Sequence, residues 1–119
     1  MDKKAVVRTS KIEIEVGLNK ENVPVAIDWQ AVDNPDTPSP QACKAMLLSV
    51  FDAKTLETLK IDLWTTDLQV MEMDRLIYYT MRGLADTYFK ATQNQEMASA
   101  MQQFAQYFGE KTEILKPGN

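Results

Sequence analysis

The side chains able to do chemistry in this 119-residue chain are few and scattered. There is no histidine, which removes the commonest general base, the commonest neutral metal ligand and every Ser–His or Cys–His nucleophile arrangement. Cys43 is the one cysteine. A reactive thiolate needs positive charge nearby, and in sequence only Lys44 stands beside it, so a structural thiol is the plainer reading. Glu13 and Glu15 fall on one strand face. Paired carboxylates work as acid and base when an apolar setting separates their pKa values, and neither residue has such a setting. Asp33-Asn34-Pro35-Asp36 offers oxygen ligands without the glycine and terminal glutamate of a calcium loop. Gly17, Gly83, Gly109 and Gly118 stand too far apart to cradle a phosphate. Met71, Met73, Met81, Met97 and Met101 sit at helical spacing, where core packing is a better account than an adaptable ligand surface. The chain therefore reads as non-enzymatic, with no cofactor and no metal.

What remains is recognition by surface side chains. In "TLKIDLW", Leu59, Ile61 and Leu63 alternate with Thr58, Lys60, Asp62 and Trp64, so the largest side chain falls in the polar register. Either the strand ends a residue early and the indole closes the corner into a following helix, or Trp64 stays on the wet face as an anchor for a partner. A helical wheel places Tyr79 among Glu72, Arg75, Arg82, Asp86 and Lys90, opposite an apolar stripe. Lys60, Asp62, Trp64 and Tyr79 are the candidate partner-binding residues.

The elements that position them follow from periodicity. Ile12, Ile14, Val16 and Leu18 alternate with polar residues, "NKEN" carries turn chemistry, and Val23, Val25, Ile27 and Trp29 alternate again; residues 8–30 read as a β-hairpin. Pro24 has no N–H to donate, so the second strand lies at an edge or begins with its N–H side unpaired. "AVDNPDTPSPQ" is a Pro/Asp-rich loop within residues 31–44, where Ser39 and Pro40 suit the start of a short helix. Residues 45–64 read as a second hairpin turning at "DAKT". Leu47 and Phe51 make its first strand apolar on both faces, which predicts a central or covered strand. A 3.6-residue period then predicts a helix over 67–92, entered by a capping box at Thr66 and Gln69. Its apolar stripe is Val70, Met73, Ile77, Met81, Leu84 and Tyr88, with Met71, Tyr78, Ala85 and Phe89 as a flank. A second helix over 95–115 carries Met97, Met101, Phe104, Phe108 and Leu115. The expectation is a single two-layer α+β domain: a four-stranded antiparallel sheet of two hairpins, covered on one face by an antiparallel helical hairpin.

Composition sets the compartment and the partners. Length suits one domain with its own core. The net charge is −4 and the basic residues are spread out, which argues against nucleic acid. A lone cysteine allows no internal disulfide and fits a reducing compartment. The N-terminus lacks the roughly 7–15 apolar residues of a secretory signal, and no run approaches the roughly 20 of a membrane helix. A cytoplasmic protein without membrane insertion is expected.

Three segments, "KIEIEVGLNKENVPVAIDW", "KAMLLSVFDAKTLETLKIDLWTTDLQVMEMD" and "ADTYFKATQNQEMASAMQQFAQYFGEK", together resemble the gliding motility protein GldC family of the Bacteroidota. The similarity runs from about Lys11 to Lys116, with "ETLKIDLWTTD" its most specific part. The resemblance implies a small cytoplasmic accessory factor of surface gliding and transfers no catalytic residue. Two functions fit. One is a protein–protein interaction module for the gliding and secretion machinery, with self-association left open. The other is a small-molecule or lipid carrier with an internal pocket between the sheet and the Met-rich helices, which requires a cavity of about 300 Å³ or more.

Overall fold

A computed structural model describes residues 3–36 and 39–116. They form β1 (Ile12–Leu18), β2 (Pro24–Ala31), β3 (Gln41–Cys43), β4 (Ala45–Phe51), β5 (Thr58–Trp64), α1 (Val70–Thr92) and α2 (Gln95–Lys111). The chain is α+β and divides into two compact units between Leu68 and Gln69.

In the first unit β1 and β2 pair antiparallel, Ile14 opposite Trp29 and Val16 opposite Ile27, with a bulge between Gly17 and Leu18. Asn19 fixes the turn: its side-chain oxygen accepts from the backbone N–H of Glu21 at 2.9 Å and of Val23 at 3.1 Å. Pro24 is the first residue of a central strand, because β3 pairs on the far side of β2, Cys43 opposite Ile27. Of the two placements open to Pro24, the structure takes the unpaired start.

The single four-stranded sheet is corrected here to a three-stranded sheet, β1-β2-β3, and a separate two-stranded sheet, β4-β5. The cause lies at Lys44. Residues 41–51 are extended almost throughout, but they change partner midway. Before Lys44 the chain pairs with β2; after it, Ala45 sits opposite Trp64 and Phe51 opposite Thr58. The Lys44 carbonyl accepts from the Thr65 backbone N–H at 2.8 Å and from its hydroxyl at 3.3 Å. Thr65 is buried, so the switch is held by a shielded double contact. The short helix allowed after Ser39 is replaced by β3; Thr37 and Pro38 lie outside the described residues. Nor is β4 central. It is one of only two strands in its sheet, and Leu47 and Phe51 are exposed.

The β4–β5 turn is built by Asp52. Its carboxylate accepts from the N–H groups of Lys54 at 3.0 Å and Thr55 at 2.7 Å. These two bonds, with a smaller contribution from the Thr55 side chain, hold its pKa below the ordinary 3.8. Leu56 closes the turn at φ 61°.

In the second unit α1 begins three residues later than the sequence predicts. Thr66–Leu68 is taken up by a turn in which the Leu68 N–H donates to the Thr65 carbonyl at 3.1 Å. Gln69 is the N-cap, and its N–H donates to the Glu72 carboxylate at 3.0 Å. Gln93, at φ 61°, ends α1, and the Asn94 side chain caps α2 by accepting from the Met97 N–H at 3.1 Å. Two helices joined by so short a link run antiparallel. Their buried seam is Tyr78 and Ala85 against Ala98, Ala105 and Gly109. The predicted flank of α1 is thus the side that packs, because small residues on α2 let the backbones approach closely. α2 ends at Lys111, short of the predicted 115. Glu113 turns the chain at φ 64°, and the Leu115 N–H donates back to the Gly109 carbonyl at 2.9 Å.

Candidate partner-binding surface

Strand β5 is regular through Trp64, so the early strand end required by a corner-closing indole does not occur. The register puts Lys60, Asp62 and Trp64 on one face, across the ladder from Ser49, Leu47 and Ala45. Trp64 is 52% exposed there. The Lys60 ammonium and the Asp62 carboxylate are 2.9 Å apart, an exposed pair that orients two side chains more than it stabilises the fold. The arrangement is an open indole beside a charge pair of zero net charge. Leu47 and Phe51, also exposed, extend the same face in apolar material. Sequence reasoning noticed that these two broke the one-sided pattern but did not join them to Trp64. Pairing β4 with β5 through the "DAKT" turn supplies that join.

The corner after Trp64 is closed by a hydroxyl instead of an indole. Beside a longer, secondary contact to the Lys44 carbonyl, the single proton of the Thr65 hydroxyl goes chiefly to the Asp67 carboxylate. That bond, opposed by slight burial, holds the Asp67 pKa below its ordinary 3.8. No sequence signal marked Thr65.

Tyr79 belongs to the second unit, on the outer side of α1, and is 48% exposed. The Arg75 guanidinium lies 5.0 Å from the ring centroid, and the ring meets Tyr78 edge-on at 4.9 Å. The structure thus brings Lys60, Asp62 and Trp64 together on one strand face and gives Tyr79 surroundings of its own.

Cys43 is half-buried on β3. Burial raises its thiol pKa; a backbone hydrogen bond at Ala45 partly offsets this, and the Asp28 carboxylate adds to it. The thiolate is disfavoured, as a structural cysteine requires. Near it, Ile14, Ile27, Trp29 and Met46 border an open apolar cavity of about 290 Å³.

A family model described as "Gliding motility-associated protein GldC-like" matches residues 24–114. The chain belongs to the GldC-like family. The GldC-like match takes in every candidate residue from Lys60 to Tyr79 and begins at Pro24, leaving β1 outside it. No curated protein and no solved structure matches the chain. Among the described residues, no helix is long and apolar enough to cross a membrane.

Proposed function

We propose that this GldC-like protein is a non-enzymatic, cytoplasmic accessory factor that docks a protein component of the gliding and secretion machinery. The observation that carries this reading is Trp64, half-exposed at the end of a regular strand beside the Lys60–Asp62 pair. A rigid aromatic with an apolar body and one N–H donor makes a large contact at small entropic cost, and tryptophan is enriched among binding hot spots. Lys60 and Asp62 fix the orientation of a partner and disfavour uncharged competitors. Tyr79 is a second anchor, on its own unit, tested separately.

The test is a pull-down from gliding cells with tagged wild-type and Trp64→Ala protein. The variant is expected to accumulate normally and melt as the wild type does. It should bind its partner roughly thirtyfold more weakly, the equivalent of about 2 kcal/mol. Wild-type recovery of the partner by Trp64→Ala would reject the docking face.

A small-molecule carrier is the second reading; the cavity that favours it is not the expected one between sheet and Met-rich helices but an open apolar one within the strand unit, beside Cys43. At about 290 Å³ it lies at the lower edge of the roughly 300–1,000 Å³ usual for ligand sites. Native mass spectrometry of purified protein separates the two. The docking reading expects no co-purified small molecule; a stoichiometric adduct that survives gentle desalting would favour the carrier.

A further inference from the structure

Inside the strand unit, β4 and β5 form a ladder whose bonded pairs can be read from its two ends. The Lys44 carbonyl accepts from the Thr65 N–H, and the Asp52 N–H donates to the Glu57 carbonyl. The register between these pairs has no shift. Bonded and unbonded pairs alternate in an antiparallel ladder. Met46, Leu48 and Val50 therefore spend their backbone groups on β5, while Leu47, Ser49 and Phe51 turn theirs outward. Among the described residues those outward groups have no backbone partner. The other open edges of the unit are blunted. β1 has Glu13 and Glu15, a Lys11–Glu13 ion pair at its start and a bulge between Gly17 and Leu18. β3 is three residues long, and β5 carries Lys60 and Asp62. Charge, bulges and shortness are what keep a strand edge from pairing with another chain. β4 has none of them: its seven residues, "AMLLSVF", include no charge, proline, glycine or bulge.

We propose that β4 pairs antiparallel with β4 of a second copy, about a two-fold axis at Leu48, to give a four-stranded sheet β5-β4-β4-β5. Only an extended backbone can answer outward N–H and C=O groups at this spacing. A helix has spent such groups within itself along its length, so α1 and α2 do not compete for the edge, and β1, β2, β3 and β5 are already paired. What selects a second copy is that the segment is its own complement. Set antiparallel about Leu48, Met46 faces Val50 and Leu47 faces Ser49, so outward groups meet outward groups. The smallest side chain, Ala45, falls opposite the largest, Phe51. Just beyond the strand, Lys44 of each copy comes opposite Asp52 of the other. Opposite charges thus meet at both ends of an uncharged strand. A parallel pairing would instead set Lys44 against Lys44 and Asp52 against Asp52. The contact is isologous and closes, since it consumes both β4 edges and leaves the charged edge of β5 on each side. Seven residues a side fall short of the roughly 20–30 of a standard interface, so the dimer is weak and reversible.

Disulfide trapping of the full chain tests the register. Both trapping variants carry Cys43→Ser, which leaves one thiol apiece. Leu48→Cys puts two thiols face to face at the axis, in an unbonded pair with Cα atoms about 4.5 Å apart, within the reach of a disulfide. Ser49→Cys sets them on the other face and two positions out of step, roughly 8 Å apart, which is too far. At ~100 μM under mild oxidation, Leu48→Cys is expected to cross-link at least about tenfold faster than Ser49→Cys; equal rates overturn the proposal. Sedimentation equilibrium decides the matter if a cysteine variant fails to fold. The wild type should show a species of twice its 13.5 kDa chain mass at ~100 μM, where even a dimer of Kd ~100 μM is about half formed. Ser49→Pro removes an outward N–H and no bond to β5, so circular dichroism should be kept while the dimer Kd rises at least about tenfold. Ser49→Lys adds the blunting that the other edges carry and should act alike. A wild type that stays monomeric overturns the pairing and leaves the edge to an extended strand of another protein. A dimer that both substitutions leave untouched overturns it as well. Trp64→Ala keeps the β4 edge and should still dimerise, so failure of this inference and failure of the docking reading are seen separately.

Discussion

Gly83 and Gly109 are helical glycines at which the same methyl group is expected to act in opposite directions. Around Gly83 an added Cβ meets nothing within 4 Å, so Gly83→Ala removes backbone entropy at no steric cost and should raise stability by up to about 1 kcal/mol. At Gly109 the Cβ would stand 2.7 Å from Tyr78 Cε1 and 2.9 Å from Leu115 Cδ1. The Tyr78 ring is buried, and its hydroxyl accepts from Arg82 at 3.4 Å, so it has little freedom to give way. Overpacking of this kind costs about 1–3 kcal/mol, enough to cancel or reverse the helix-propensity gain. Thermal melts should show Gly83→Ala above the wild type and Gly109→Ala below it; a Gly109→Ala protein melting as high as Gly83→Ala would mean the helices do not close on Tyr78. Thr65→Val tests the sheet switch. It keeps the shape and the backbone bond to Lys44 but loses a buried hydroxyl, and should cost about 1 kcal/mol. It should also return the Asp67 pKa towards 3.8, which carboxyl NMR reads independently of stability. Tyr79→Ala removes a half-exposed ring and its contacts to Arg75 and Tyr78, a loss of no more than about 1 kcal/mol.

Among the elements, the β4–β5 turn has a pH signature. Asp52 is held below its ordinary pKa of 3.8 by the Thr55 and Lys54 N–H groups, so the charged form is favoured in the folded state. Its contribution is complete above the ordinary value and disappears as pH falls through the lowered one. Both bonds end on one carboxylate oxygen, a place the Asp52→Asn amide oxygen can take, so the hairpin should persist with that part of its acid sensitivity removed. Amide shifts of Lys54 and Thr55 between pH 5 and 2 check this: they should titrate in the wild type, with a midpoint below 3.8, and stay flat in the variant. The same turn shows what the sequence makes legible. The strands around it, the first hairpin and both helices are written in periods of 2 and 3.6, which report a side chain's own face. What periodicity does not report is the partner strand. Residues 41–51 read correctly as extended from Ala45 onward, yet nothing in that alternation tells that the chain leaves β2 at Lys44, because the change depends on a carbonyl engaged by Thr65, twenty-one residues on. Helix α1 shows the same limit. Its stripe and flank were both visible, and which one packs was decided by the small residues of α2. Trp64 was legible as an anomaly of register, and its exposure follows once β5 runs straight to its end.

At the scale of the whole molecule, the GldC-like match ties the chain to gliding motility, and the proposed docking residues fall in both units, Lys60, Asp62 and Trp64 in the strand unit and Tyr79 in the helical one. The layout of the elements has a further consequence, for the order of events after synthesis. All four pairings join consecutive elements, and three of them, β1 with β2, β4 with β5 and α1 with α2, close over short turns; hairpins of this kind form in microseconds. Only β2 with β3, and the Lys44–Thr65 contact, must wait for a longer loop to close. A new chain should therefore acquire its local structure almost at once, with β3 still to dock on β2. That docking is first-order, so its pace does not depend on how many copies the cell has made. Refolding should accordingly show a fast phase in circular dichroism followed by a slower one in tryptophan fluorescence, since Trp29 lies opposite Gln41 of β3, and neither rate should change with chain concentration. Until the slow phase ends, β3 is an undocked strand within reach of a holdase or a protease.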